Sequence, residues 1–231
     1  MRRITAFVLM WLPLTLLAGP QEAPSDGAAL RERFLARVDE PLVRYRAVRR
    51  LAARNERFDK EASLDVATTL DPSVGFQYEV LAQNGSGYVR TRVLEPILRG
   101  EARAVREGAS ESAALTIANY EFGPAASDGA PLARLLIRPR RKDILLVDGA
   151  ILVTTDDADL VRIEGRLARN PSFWTSRVEV RREYARLAGV RVPVRVESRA
   201  WVKIAGISSF VMTYEYEEIN GRALTPNSAA R

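Results

Sequence analysis

Hydrophobic and polar residues alternate with a period of two along most of this chain. One early stretch has a helical period instead. Leu30, Phe34 and Val38 recur at i, i+4 and i+8 with charged residues between them, Ser25 or Asp26 stands where a cap belongs, and Pro41 closes the element. From about Leu42 the alternation takes over. Phe58, Ala62, Leu64, Val66 and Leu70 mark one strand pattern, and Val74, Phe76, Tyr78 and Val80 repeat it after the turn Asp71-Pro72-Ser73. Asn84-Gly85-Ser86-Gly87 reads as a hairpin turn leading into a strand over 88–94. A second helix follows, with Pro96 at its first position, an apolar stripe of Ile97, Leu98, Ala102 and Val105, and Gly108 as its stop. Strand patterns resume over 113–122, 132–138, 144–154, 160–167, 177–187, 190–204 and 207–219.

The charges of the hairpin 177–204 choose its register. Val190, Val192, Val194, Val196, Ala200, Val202 and Ile204 occupy even positions, while Arg191, Arg195, Glu197, Arg199 and Lys203 occupy odd ones. A three-residue loop, Ala188-Gly189-Val190, sets Glu183 opposite Arg195, Arg181 opposite Glu197, Glu179 opposite Arg199 and Arg177 opposite Trp201. A slip of two residues would place Arg181 across from Arg195 and Glu179 across from Glu197. Each cross-strand pair is worth roughly 0.2 to 1 kcal/mol, so three attractions against two repulsions favour the first register.

One face of the resulting sheet is charged and the other apolar. Two helices cannot cover about ten strands laid flat. The predicted fold class is therefore α+β, mainly antiparallel β: a strongly curved half-barrel sheet whose concave apolar side is covered by the two helices.

The N-terminus adds a compartment. Arg2 and Arg3 precede an uncharged, mostly apolar run from Ile4 to Ala18, the pattern of a signal peptide, and the run is too short, with Pro13 near its centre, for a stable membrane span. No Cys follows that could carry a lipid. The expected organisation is a signal peptide at 1–18, a lead-in at 19–27, one domain at 28–221 and a disordered tail at 222–231, with the mature protein periplasmic or secreted.

Composition narrows the chemistry. The 231 residues include no His and no Cys, which excludes His or Cys metal sites, Ser-His and Cys-His nucleophiles, and disulfides. No cofactor is called for. The formal charge of +6 comes from 35 basic and 29 acidic residues, with the arginines dispersed along the chain, so nucleic acid is not an expected partner. Asp156-Asp157-Ala158-Asp159 lacks the glycine and terminal Glu of a calcium loop and reads as a turn with no metal. Asp148, Asp156, Glu164 and Glu183 are the acids a carboxylate-based hydrolase could draw on, and nothing in their spacing pairs two of them.

Asp148 to Val153, Leu160 to Gly165, Pro171-Ser172-Phe173-Trp174, Arg182 to Pro193 and Met212 to Tyr216 together resemble the C-terminal half of exported bacterial proteins related to the LolA-like outer-membrane lipoprotein-sorting family. The resemblance covers about 142–221. It implies a helix-lidded half-barrel whose concave face holds acyl chains in the carriers and senses envelope proteins or lipids in their relatives. None of the arginines lies in a motif that would locate the carriers' gating arginine.

Leu64, Val66, Phe76, Tyr78, Val80, Val194, Val196, Phe210, Met212 and Tyr214 are the candidate lining of such a cavity, and Phe173 with Trp174 its candidate lip. The simpler reading of any one of these residues is a filled core. Three functions stay open at this level. The first is a binding protein for an acyl chain, lipid or lipoprotein-like ligand. The second is an envelope protein-interaction or sensing module with a filled core. The third is a carboxylate hydrolase. The first two need no catalysis.

Overall fold

The computed structural model describes residues 26–225 apart from 109 and 128, so the expected signal peptide, most of the expected lead-in and residues 226–231 lie outside the described residues. One antiparallel sheet dominates. Its order is β3(Gly75–Gly85), β2(Lys60–Asp71), β1(Tyr45–Asn55), β10(Gly206–Ile219), β9(Val190–Val202), β8(Thr175–Leu187), β7(Leu160–Leu167), β6(Val147–Thr154), β5(Leu132–Pro139), β4(Tyr120–Ala126), with β11(Arg222–Ala223) added to the end of β10. The sheet stays open, with β3 and β4 as its edges. This is the mainly antiparallel half-barrel with few helices that the patterning predicts.

Register carries one apolar row across eight strands. Leu64, Leu51, Met212, Val196, Arg182, Ile163, Ile151 and Leu135 stand opposite one another in turn, and opposed residues of an antiparallel pair share a face. Arg182 is the only polar member. Two helices cover the two flanks of this inner face. α1(Asp26–Ala36) buries Leu30 and Phe34 against β4–β8, and α3(Glu95–Arg106) lays Leu98, Ala102 and Val105 over β1–β3 and β10. Each fully buried Leu contributes roughly 1.5 to 3 kcal/mol of transfer free energy.

The backbones of β6 and β7 approach each other closely at one point. Gly149 and Gly165 face each other on β6 and β7, and a Cβ on Gly149 would lie 2.2 Å from the Glu164 carbonyl oxygen. Only glycine lets these backbones come so close.

The hairpin of β8 and β9 has all four expected pairs: Glu183 with Arg195, Arg181 with Glu197, Glu179 with Arg199 and Arg177 with Trp201. The turn differs. Leu187 pairs with Val190, so the loop is the two residues Ala188 and Gly189, with φ of 48° and 84°, and the extra residue enters at a bulge beside Pro193 and Val194. Proline has no N–H to give the ladder, which makes that position a natural place for a bulge. The charges across the hairpin line up, but their closest ion pairs run along a strand, to β7 or to the β1–β2 turn, as in Arg195–Glu197 at 2.6 Å, Arg162–Glu183 at 3.4 Å and Arg199–Glu56 at 3.2 Å.

Four expectations are corrected. Residues 88–94 are helical and form no strand: α2(Gly87–Val89) passes through a π-helical turn, Arg90–Leu94, directly into α3. Ser86 Oγ accepts from Val89 N at 3.4 Å, and the helical run buries Val89 and Leu94 together, which an edge strand could not do. The stretch 113–119 holds the end of a short helix, α4(Ser110–Ala113), and turns, and the strand begins only at Tyr120. α1 stops at Ala36, before Pro41, because Arg37 and Asp39 turn away into ion pairs with Asp157, Arg186 and Arg191. Asp26 and Gly27 belong to α1 and Arg222–Ala223 to the sheet, so regular structure reaches past both ends of the segment 28–221.

Candidate functional site

Between the helical run and the far end of the sheet lies a groove of about 400 Å³, within the range of ligand pockets. Its floor is the inner face of β1, β9 and β10, with Ala53, Asn55, Ser198, Ala200, Val202, Ser208 and Phe210. Its wall is helical: Tyr88 and Val89 from α2, Arg92 and Val93 from the π-turn, and Ile97 from α3. Phe58 and Lys60 close it at the β1–β2 turn. Small side chains on the floor explain why the helices do not seat there. Where the floor residues are Leu51, Leu64 and Met212, α3 makes full contact, and where they become Ala53, Ser198 and Ala200 a space remains.

The titratable groups lining the groove are Arg54, Lys60, Tyr88 and Arg92, and no acid is among them. Paired-carboxylate chemistry therefore has no residues here. A larger hollow of about 660 Å³ on the outer face, over β5–β10, is open and lined by ions of both signs such as Arg134, Glu164, Arg166 and Glu197. Those ions largely satisfy each other, as in Arg166–Asp148 at 2.8 Å, so it offers neither an apolar wall nor an unmatched charge.

The structure places the sequence-predicted lining mostly away from this groove. Leu64, Val66, Phe76 and Met212 are buried in the core beneath α3, with Tyr78, Val196, Phe210 and Tyr214 packed against it. Val194 is half-buried and Val80 exposed. Of these ten, Phe210 lines the groove. Phe173 and Trp174 are exposed on the β7–β8 loop in edge-to-face contact at 5.7 Å, and Trp174 O accepts from Lys203 N at 2.7 Å, beside the groove residues Val202 and Ala205.

A buried arginine escaped sequence reasoning. Arg49 sits on the apolar row of β1, between Ala47 and Leu51, and is fully buried. Its guanidinium donates to Glu101 of α3 at 2.6 and 2.9 Å and to the Tyr45 hydroxyl, and it lies 4.6 Å from the Tyr214 ring centroid and 5.1 Å from that of Phe76. Its Nε has no hydrogen-bond partner. Burial alone would lower the Arg49 pKa, but the Glu101 hydrogen bond and charge outweigh it and keep the group charged. Burial pushes Tyr45 up to about 12, against the pull of Arg49, and raises Tyr214 as well. The signal was a single charge in the alternating row Tyr45, Ala47, Arg49, Leu51, Ala53.

Asp159 shares Arg186 with a second acid, Asp39, which spacing could not show. Arg186 spans both, at 2.8 Å to Asp39 and 2.7 Å to Asp159, and Arg191 reaches Asp39 at 2.5 Å. Burial would raise Asp39, yet Arg186, Arg191 and Arg37 hold it below the ordinary carboxylate range, so it is a fixed anion and not a proton carrier. In the turn itself Asp156 and Asp159 accept backbone N–H bonds at 2.8 and 3.0 Å, and among the described residues no group of three or more acids could hold a metal ion.

No protein-family model and no curated protein matches the sequence. Among solved structures the chain is similar to a LolA superfamily protein from Nitrosomonas europaea, at 12% identity over 86% of this chain and 94% of that one, with a TM-score of 0.35. Among the described residues no helix is long and apolar enough to cross a membrane.

Proposed function

We propose that this is an exported binding protein, released into the periplasm or beyond after loss of its signal peptide, that takes an acyl chain or another elongated apolar group into the groove between the π-turn and the sheet. The groove carries this reading. Its wall is mostly apolar, its floor is mostly small side chains, and no acid lines it. Burial of apolar surface at about 25 cal/mol per Å², less the ordering costs, supplies the affinity, and no chemistry is required.

Protein purified from its own envelope, extracted with organic solvent and read by mass spectrometry, yields a stoichiometric lipid on this reading. The empty protein then binds a fluorescent fatty acid, and Ala200→Phe, which fills the floor, abolishes that binding while circular dichroism stays unchanged. Extracts without lipid, together with no fluorescence response, would overturn it.

The packed centre beneath α3 favours a second reading, an envelope protein-interaction or sensing module without a small ligand. Under it, Ala200→Phe changes nothing and a protein partner is recovered by cross-linking in the envelope.

A further inference from the structure

The four exposed aromatic side chains among the described residues stand at one end of the half-barrel. Phe58 (54% exposed) is on the β1–β2 turn, Tyr88 (67%) is in α2 after β3, and Phe173 (80%) and Trp174 (55%) are on the β7–β8 loop. Ile204 (71%) joins them on the β9–β10 turn. Topology brings these connections together, because alternate turns of an antiparallel sheet fall on the same end. Contacts then tie them into one rim. Lys203 Nζ lies 4.4 Å from the Phe173 ring centroid, Arg57 donates to Ile204 O at 2.5 Å and stacks on Phe58, and Lys60 stands 6.0 Å over Tyr88.

The charge on this rim is unbalanced. Arg57, Lys60, Arg92 and Lys203 form no ion pair among the described residues, and two of the three lysines in the whole sequence are here. The acids flanking the β1–β2 turn are Glu56, Asp59 and Glu61, and the first two are already engaged, by Arg199 at 3.2 Å and Arg54 at 2.8 Å. Aromatic side chains interleaved with unpaired cations, on loops and not on a flat sheet face, match a lipid headgroup layer. The rings sit at the acyl boundary and the cations meet the phosphates.

We propose that this rim docks the protein reversibly on an anionic lipid surface, with Phe173, Trp174 and Ile204 entering the interface and Arg57, Lys60 and Lys203 facing the phosphates. The rim adjoins the groove, since Phe58, Lys60 and Tyr88 belong to both, so docking would open the groove toward the bilayer. Docking itself does not depend on the groove being filled, and the two readings fail separately.

The test is co-sedimentation of the purified chain with phosphatidylcholine vesicles, with and without phosphatidylglycerol. Binding is expected only with phosphatidylglycerol, weakening as salt rises. Lys60→Gln with Lys203→Gln lowers the affinity by roughly tenfold or more, and Phe173→Ser with Trp174→Ser does the same without altering the salt dependence. As a check that needs no loss-of-function variant, brominated acyl chains quench tryptophan fluorescence in the wild type and not in Trp174→Phe. Absent binding to both vesicles, equal binding to both, or quenching that survives in Trp174→Phe would overturn the proposal, whatever protein the chain also captures.

Discussion

The same sheet face is covered in two ways. Beneath α1 the contact is neutral: Leu30 and Phe34 pack on Tyr120, Leu135 and Ile137, Phe34 meets Phe122 at 6.0 Å, and Gly27 presses on the Ala125 backbone. The polar ties of α1 stay outside, where Arg33 reaches the carbonyl oxygens of Thr155 and Asp156 at 2.9 and 2.7 Å. Beneath α3 the tie is inside, a charged Arg49 in an aromatic nest clasped by Glu101, with an open groove at the end of the same helical run. Dispersion and burial degrade gradually as surfaces part. A buried ion pair behaves as a discrete fastening, strong with both partners present and costly with one. The α3 side therefore holds its helix by a discrete charged fastening next to a space, and the α1 side is closed by apolar packing.

The largest expected effect breaks that contrast directly. Glu101→Leu leaves Arg49 buried without its counter-charge and should cost about 3 to 5 kcal/mol in urea unfolding, with hydrogen exchange rising first in α3. Adding Arg49→Met converts the α3 side into a neutral contact like that of α1 and should recover most of the loss. A double variant as weak as the single one would show that the fastening is not what holds α3.

Alkaline titration comes next. Burial puts Tyr45 at about 12 against an ordinary 10.0, so the folded state holds its proton longer than the unfolded state does. Stability is full below pH 10 and is lost as pH rises through 12, by about 2 to 3 kcal/mol from this group. Tyr45→Phe should flatten that decline, measured as urea midpoints across the range.

On the α1 side, Gly27→Ala would place a Cβ 2.1 Å from the Ala125 carbonyl oxygen, so the helix must shift and stability should fall by about 1 to 3 kcal/mol. Groove binding, on the other flank of the same sheet face, should persist. The smallest effect concerns the surface network. Asp39→Asn should cost about 1 kcal/mol at neutral pH. Since the Asp39 pKa is lowered in the folded state, the advantage of wild type holds above the unfolded value of 3.8 and vanishes as pH falls below it.

Much of the fold was legible because strands announce themselves by alternation. The register of β8 and β9 could be read from Glu183, Arg181 and Glu179 against Arg195, Glu197 and Arg199, although the turn closed one residue tighter and the slack moved to Pro193. Residues 88–94 misled because Tyr88, Val89 and Val93 are good strand formers, and a local preference yields when a helix buries Val89 and Leu94 together. The candidate site was less legible. Leu64, Val66 and Met212 sit on the inner face as their spacing implies, but whether an inner-face residue is core or cavity depends on what the helix above it reaches. Arg49 could have been found as the one charge in an apolar row.

By itself the sequence determined the class of the fold, one apolar face and one charged face, the pairing of its last strands and the exclusion of His and Cys chemistry, because each of these follows from residue type and short-range period. Tertiary structure alone decided the partner of Arg49, the place of the groove and the gathering of Phe58, Tyr88, Phe173, Trp174, Lys60 and Lys203 on one rim. Those residues come from four connections far apart in the chain, and only the up-and-down course of an antiparallel sheet delivers alternate connections to the same end.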